Sequence, residues 1–170
     1  MYQVDTQDAV VGLDDVPSPD GGAPLPAVVA AEHELQLIYL ASEPDPEWDG
    51  TYARVMSPSS SGEPVAVVKF GRPYAHMFGP PNEEAFAGHP LAQRGVYPGG
   101  AFEVHHSSWL RALEQMNSVH RYHTAARFAG FRHFIFAFHD STFECIAKSY
   151  ACELRRGSVA SVAAMAPQTW

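Results

Sequence analysis

Hydrophobic and polar positions alternate most regularly in RHFIFAFHDSTFEC, residues 132–145. In an extended chain Phe134, Phe136 and Phe138 share one face, while His133, Ile135, Ala137 and His139 share the other. The polar HDST interruption, followed by renewed alternation, predicts a β-hairpin. A two-residue turn at Asp140-Ser141 would pair His139 with Thr142, Phe138 with Phe143 and Ala137 with Glu144. Phe143, Cys145 and Ala147 then extend the phenylalanine face, and Glu144 lands on the histidine face, diagonal to His139. Asp-Ser lacks the glycine that the tightest hairpin turns favour. A loop of four or five residues is therefore the competing geometry, and it would move Glu144 relative to His139.

Other elements follow from the same periodicities. The apolar run from Val28 to Ala31 leads into EHELQLIYLASE, where Leu35, Leu37 and Tyr39 make one face and Ile38 and Leu40 the other, as in a strand buried on both sides. TYARVM (51–56) and PVAVVKF (64–70) read as two strands joined by SPSSSGE, and AFEVH (101–105) as another. SSWLRALEQMNSVH gives the best helix: Ser107 or Ser108 caps it, and Trp109, Leu110, Leu113 and Met116 form its apolar stripe. A shorter helix fits TAARFAGF, with Thr124 as cap and Phe128 and Phe131 inward. Residues 71–100 carry five prolines and six glycines, too many for a long element; Asn82 suits the cap of a short helical turn that Gly88 ends. Residues 1–27 include LDDVPSPDGGAPLP and read as a flexible acidic segment, and 154–170 as a flexible tail, leaving 28–153 as a single domain. The pattern predicts an α+β fold: a mainly antiparallel, curved sheet with one long helix and one or two short helices packed on one face.

Composition narrows the classes. A chain of 170 residues, 46% hydrophobic and 12% aromatic, is long and apolar enough for one domain with its own core. No run approaches the roughly 18 apolar residues needed to cross a bilayer, and MYQVDTQDAV has neither the basic start nor the apolar stretch of a secretory signal. The expectation is a cytoplasmic protein without membrane association. The two cysteines agree: Cys145 and Cys152 would point to opposite faces of one continuous strand, and are expected as buried thiols, not a disulfide. The net charge of -8 is unevenly placed, for residues 1–50 hold eleven acids and no Lys or Arg, whereas 51–170 hold eight acids and eleven bases. No basic cluster marks a nucleic-acid footprint, which leaves a small-molecule ligand or a protein as the expected partner, in an oligomeric state the sequence does not specify.

The chain contains no Walker A sequence, dinucleotide GxGxxG, HExxH, GxSxG or CxxC. What stands out is histidine: eight of nine fall between His76 and His139. Imidazole moves protons near neutral pH and is the commonest metal ligand. His105 and His106 are neighbours on a strand and face apart, and His120 and His123 sit at a bend between helices, so these pairs are weak candidates. His133 and His139 share a strand face with Glu144 close by. A carboxylate beside an imidazole fixes its tautomer and favours its charged form, which suits acid–base work. HDST by itself reads as a plain turn, since Asp and Ser bond local backbone there. The loop GRPYAHMFGPPNEEAFAGHP adds Arg72, which suits a carboxylate or phosphate, with His76 and His89.

Two functions are consistent with these residues. In the first, the protein is a small cytosolic enzyme with His139, Glu144 and His133 as catalytic groups and Arg72, His76 and His89 binding a polar or anionic small molecule. In the second, it is a non-catalytic ligand- or partner-binding regulatory domain in which the 71–90 loop is the recognition surface. A divalent metal held by three of His76, His89, His133, His139 and Glu144 is a third arrangement that the spacing allows without demanding it. All of these readings turn on whether those side chains line one cavity.

Overall fold

Strand-forming sequence dominates the computed structural model, which describes residues 2–44, 51 and 55–166. Among the described residues nine strands form two sheets, antiparallel throughout. One has the order β1 (Ala9–Gly12), β6 (Ala101–His105), β7 (Arg132–Ala137), β8 (Thr142–Ala147), β5 (Ala75–Gly79). The other runs β2 (Ala27–Ala30), β3 (Leu35–Leu40), β4 (Glu63–Gly71), β9 (Ser149–Gly157). The fold is α+β and sheet-dominated as expected, but the strands divide between two sheets. The chain passes from β8 to β9, and so from one sheet to the other, across the single residue Lys148.

Three apolar layers explain this division. Between the sheets, Leu35, Leu37, Tyr39, Val68 and Phe70 meet Phe134, Phe136, Phe138 and Phe143, so the predicted phenylalanine face is the sandwich interior. Ile38, Leu40, Val65 and Val67 point out of the other side of their sheet, which is why β3 is buried on both faces. They are covered by α2 (Val159–Met165), which presents Val159, Val162 and Ala166. Phe102, Val104, Ile135 and Ala137 point out of the first sheet and are covered by Phe86, Leu91 and Val96, with Tyr2, Val4 and Val10 beside them.

Several elements differ from the sequence pattern. Within residues 1–27, β1 pairs with β6 and Pro19 bridges to Ala41, where no regular element was expected. Beyond residue 154, β9 continues to Gly157 and α2 follows, its start fixed by a reciprocal capping box between Ser158 and Ser161. A helix of seven residues is too short to register as a periodic stripe. Where a long helix was expected, the structure has the ten-residue α1 (Ser108–Asn117), with Ser107 as its cap accepting from Leu110 N–H at 3.1 Å. TAARFAGF yields only a 3-10 turn, Ala125–Arg127. The two helices do not share a face, because α1 lies by β7 while α2 lies on β2 and β3. Asn82 does cap a turn, accepting from Ala85 N–H at 3.1 Å before the short 3-10 segment Phe86–Gly88. Of the strand expected over 51–56, residues 52–54 lie outside the described residues, and 51, 55 and 56 are not in a strand.

The hairpin itself forms with its turn one residue earlier than predicted. Phe138 N–H bonds Ser141 O at 2.8 Å around His139-Asp140, and the register is Ala137 with Thr142, Phe136 with Phe143 and Ile135 with Glu144. Moving a turn by one residue shifts the register by two, so each side chain keeps its face while its cross-strand neighbour changes. Glu144 is thereby moved away from His139 and placed diagonal to His133. Cys145 and Cys152 are free thiols on different sheets, with burial the main factor pushing both up, Cys152 to about 11.

Candidate functional site: a buried carboxylate between two histidines

Glu144 is the centre of a buried polar cluster. It projects from the outer face of β8, where β7 supplies His133, the segment following Phe86–Gly88 supplies His89, the approach to α1 supplies Ser107, and residues before β1 supply Tyr2. His133 Nε2 lies 2.9 Å from Glu144 Oε2, His89 Nε2 lies 3.2 Å from Oε1, and the Tyr2 hydroxyl donates to Oε2 at 2.7 Å. On the far side of His133, Nδ1 lies 2.9 Å from Ser107 Oγ. His133, Ser107, His89 and Glu144 are 0%, 2%, 3% and 4% exposed.

The protons in this cluster can be placed by elimination. Burial raises the carboxyl pKa of Glu144, but donation from His133, His89 and Tyr2 outweighs it and brings the value down to about 2. The carboxylate is therefore ionised at neutral pH and can only accept. Leu91 N–H donates to His89 Nδ1 at 3.1 Å, so the His89 proton sits on Nε2 and points at Glu144. In neutral His133 the proton likewise sits on Nε2, which leaves Nδ1 to accept from the Ser107 hydroxyl. Ser107 Oγ in turn accepts from Leu110 N–H. The result is a continuous Ser–His–Glu relay in which every member has a partner. Burial, followed by the nearby Glu144 charge, pushes the Tyr2 hydroxyl well above the ordinary tyrosine range, so it remains a donor.

Aromatic packing closes the cluster. Tyr2 stacks on Trp109 with centroids 5.6 Å apart, Trp109 meets His133 edge-on at 5.1 Å, and Phe86 stacks on His89 at 5.2 Å. The covering residues are tied down in their own right. Asp8 accepts from Ser108 N–H at 2.7 Å, and Arg111 bonds Asp5. Ser108 Oγ is buried without a hydrogen-bond partner. Among the described residues, no group of three or more His, Cys, Asp or Glu has the arrangement of a metal site.

Of the six side chains nominated from sequence, the structure brings together His133, Glu144 and His89. His139 is at the exposed hairpin tip, 2.9 Å from Asp140 and 3.4 Å from Glu83; the Asp140 hydrogen bond, then the Glu83 charge, raise its pKa. His76 is on the exposed face of β5, and Arg72 is exposed in the β4–β5 connection. Three cavities among the described residues are lined by neither His89, His133 nor Glu144. One of about 120 Å³ lies between Tyr39 and Tyr97, one of about 350 Å³ lies beside Ser107 and Arg111, and one of about 450 Å³ lies beside Arg72 and Phe131. Ser107 and Tyr2 carried no site signal in the sequence: Ser107 read as a helix cap, which it is, and Tyr2 lies 142 residues from its partner.

No protein-family model matches this chain, and no curated protein or solved structure is significantly similar to it. The class is therefore defined by architecture and chemistry alone: an α+β sandwich with a buried imidazole–carboxylate relay. No helix among the described residues is long and apolar enough to cross a membrane.

Proposed function

We propose that the chain is a non-catalytic ligand-binding domain. In this reading the Ser107–His133–Glu144–His89–Tyr2 cluster is an internal clamp, and recognition occurs on the open side of β5 and the connection before it. The observation that carries this is the saturation of Glu144: three protein donors occupy a carboxylate that is 4% exposed, leaving no face for a substrate. A buried network with every member satisfied holds one arrangement of the elements around it, here α1, β7, β8 and the residues before β1. Of the nominated residues outside the clamp, His139 lies at the hairpin tip, whereas Arg72 and His76 lie on the segment that leads into and through β5. The latter two alternate with Tyr74 and Phe78, all four exposed. As an edge strand paired only with β8, β5 leaves its other side open.

A second reading has one specific observation in its favour. The Oγ–Nδ1 and Nε2–Oε2 contacts, both 2.9 Å, align a serine, a base and an orienting carboxylate, and Ser107 borders the 350 Å³ cavity. The chain would then be a serine-nucleophile enzyme. Treatment with a fluorophosphonate probe and intact-mass analysis separates the two. The binding-domain reading expects no adduct at Ser107. A stoichiometric adduct there, lost in Ser107→Ala and in His133→Gln variants that remain folded, would overturn it in favour of the enzyme.

A further inference from the structure

Most cations of this acidic protein are already engaged. Lys69, Arg111, Arg132, Arg155 and Arg156 each hold a carboxylate, and Arg94 donates to a backbone carbonyl. Among the described residues, Arg72, Arg121, Arg127 and Lys148 hold no carboxylate, and of these Arg72 and Lys148 lie beside the same ring, Phe131. Arg72 lines the 450 Å³ cavity together with Phe70 and Phe131. Lys148 holds its Nζ 5.3 Å from the centroid of that same Phe131 ring, and its backbone N–H donates to Gly71 O at 2.9 Å, next to Arg72. Phe131 is itself fixed by Tyr74, 5.3 Å away, and by Phe128 at 6.0 Å.

The backbone at Arg72 is also unusual. Its φ of 51° is in the left-handed region, which a residue with a Cβ adopts at a cost. Hydrogen bonds on both sides hold it there: Lys148 N–H to Gly71 O, and Tyr74 N–H to Ile146 O at 2.7 Å. Arg72, exposed and without a carboxylate partner, is held in a disfavoured conformation beside a cavity that Phe70 and Phe131 line together with His33, Glu34, Gly71 and Pro73. Strain of this kind persists where surrounding structure enforces it and is concentrated at ligand sites.

We infer that this cavity is a binding site for a small oxyanion carrying a planar apolar body, such as an aryl carboxylate or an aryl phosphate. The guanidinium fork of Arg72 matches either head group bidentately. Lys148 adds a second positive charge, and the Phe70 and Phe131 rings take the apolar body. Glu34, which also lines the cavity, disfavours ligands of higher negative charge, and His33 lies beside it. This inference rests on the binding-domain reading and names the ligand class for that face.

The test is an NMR titration of the 15N-labelled protein with phenyl phosphate, benzoate, inorganic phosphate and phenol. Phenyl phosphate or benzoate is expected to saturate with amide shifts centred on Gly71, Arg72, Gly130 and Phe131, and whichever binds more tightly identifies the head group. Inorganic phosphate should bind at least tenfold more weakly than the aryl anions, and phenol should produce no saturable shift. Arg72→Gly relieves the left-handed backbone while removing the cation, so it should fold as well as wild type and bind at least tenfold more weakly. Phe131→Ala should weaken the aryl anions more than inorganic phosphate. Absence of saturable shifts with both aryl anions, or an Arg72→Gly/Lys148→Ala variant that binds them like wild type, would overturn the site. Those failures leave the non-catalytic reading intact, since it stands or falls on Ser107 labelling.

Discussion

Glu144 shows how much a single buried charge governs. Its folded pKa of about 2 lies below the ordinary 4.5, so it contributes stability that is complete above about pH 5 and is lost as pH falls towards 2. A depression of that size corresponds to roughly 3 kcal/mol. Glu144→Gln should therefore be less stable than wild type by about 3 kcal/mol at pH 7, and urea unfolding should show the gap narrowing as pH falls from 5 to 3. A gap that stays constant with pH would mean that folding does not lower the pKa of this carboxyl. The two adjacent serines should respond in opposite directions. Ser107→Ala removes the α1 cap and leaves His133 Nδ1 without its donor, a loss of about 2–4 kcal/mol in denaturant unfolding. Ser108→Ala deletes a buried hydroxyl that has no partner and should leave stability unchanged or raise it by up to about 1 kcal/mol. At this scale the sequence revealed faces better than partners. Alternation put His133 and Glu144 on one side of a hairpin, which is where they are. The pairing of Glu144 with His139 failed because the turn formed at His139-Asp140, and turn position is decided by a few dihedrals that Asp, Ser and His all tolerate.

Elements were legible where a period ran long enough to be seen. The ten-residue α1 and the strands β3, β4, β6, β7 and β8 carry clear alternation or stripes. By contrast, β1 has four residues, mostly exposed, and owes its conformation to pairing with β6, about 90 residues away in the chain, so local pattern held no trace of it. Short α2 is similar: Val159, Val162 and Ala166 gain their stabilisation from the apolar outer face of β3 and β4, which is visible only once the sheet exists. What local sequence does supply is the start signal, with Ser158 accepting from Ser161 N–H at 3.1 Å and Ser161 Oγ accepting from Ser158 N–H at 3.2 Å. Ser158→Ala should cost about 1 kcal/mol. The midpoint of urea unfolding should fall with little change in slope. A change in slope would indicate that α2 detaches before the sandwich unfolds.

Across the whole molecule the two sheets make three layers, and the polar relay and α2 lie in opposite outer ones. The phenylalanine-rich interior separates them, with face-to-face sheets spaced about 10 Å apart. The sequence implied a single sheet because each strand's pattern reports only which of its faces are buried, never which strand lies opposite. The division into two sheets is set by the crossing at Lys148 and by the pairing of β4 with β9, long-range choices without a local signature. If the interior is as closely packed as its buried aromatics indicate, the molecule should unfold as one cooperative unit while its outer layers contribute independently. Ser107→Ala and Ser158→Ala share no partners and lie on opposite sides of that interior, so the double variant should lose the sum of the two single losses to within about 0.5 kcal/mol. A deficit or excess larger than that, measured by denaturant unfolding of all four proteins under one condition, would mean that the clamp around Glu144 is mechanically coupled through the core to α2. The relay would then act as a long-range organiser of the sandwich and not as a local fastening of its outer face.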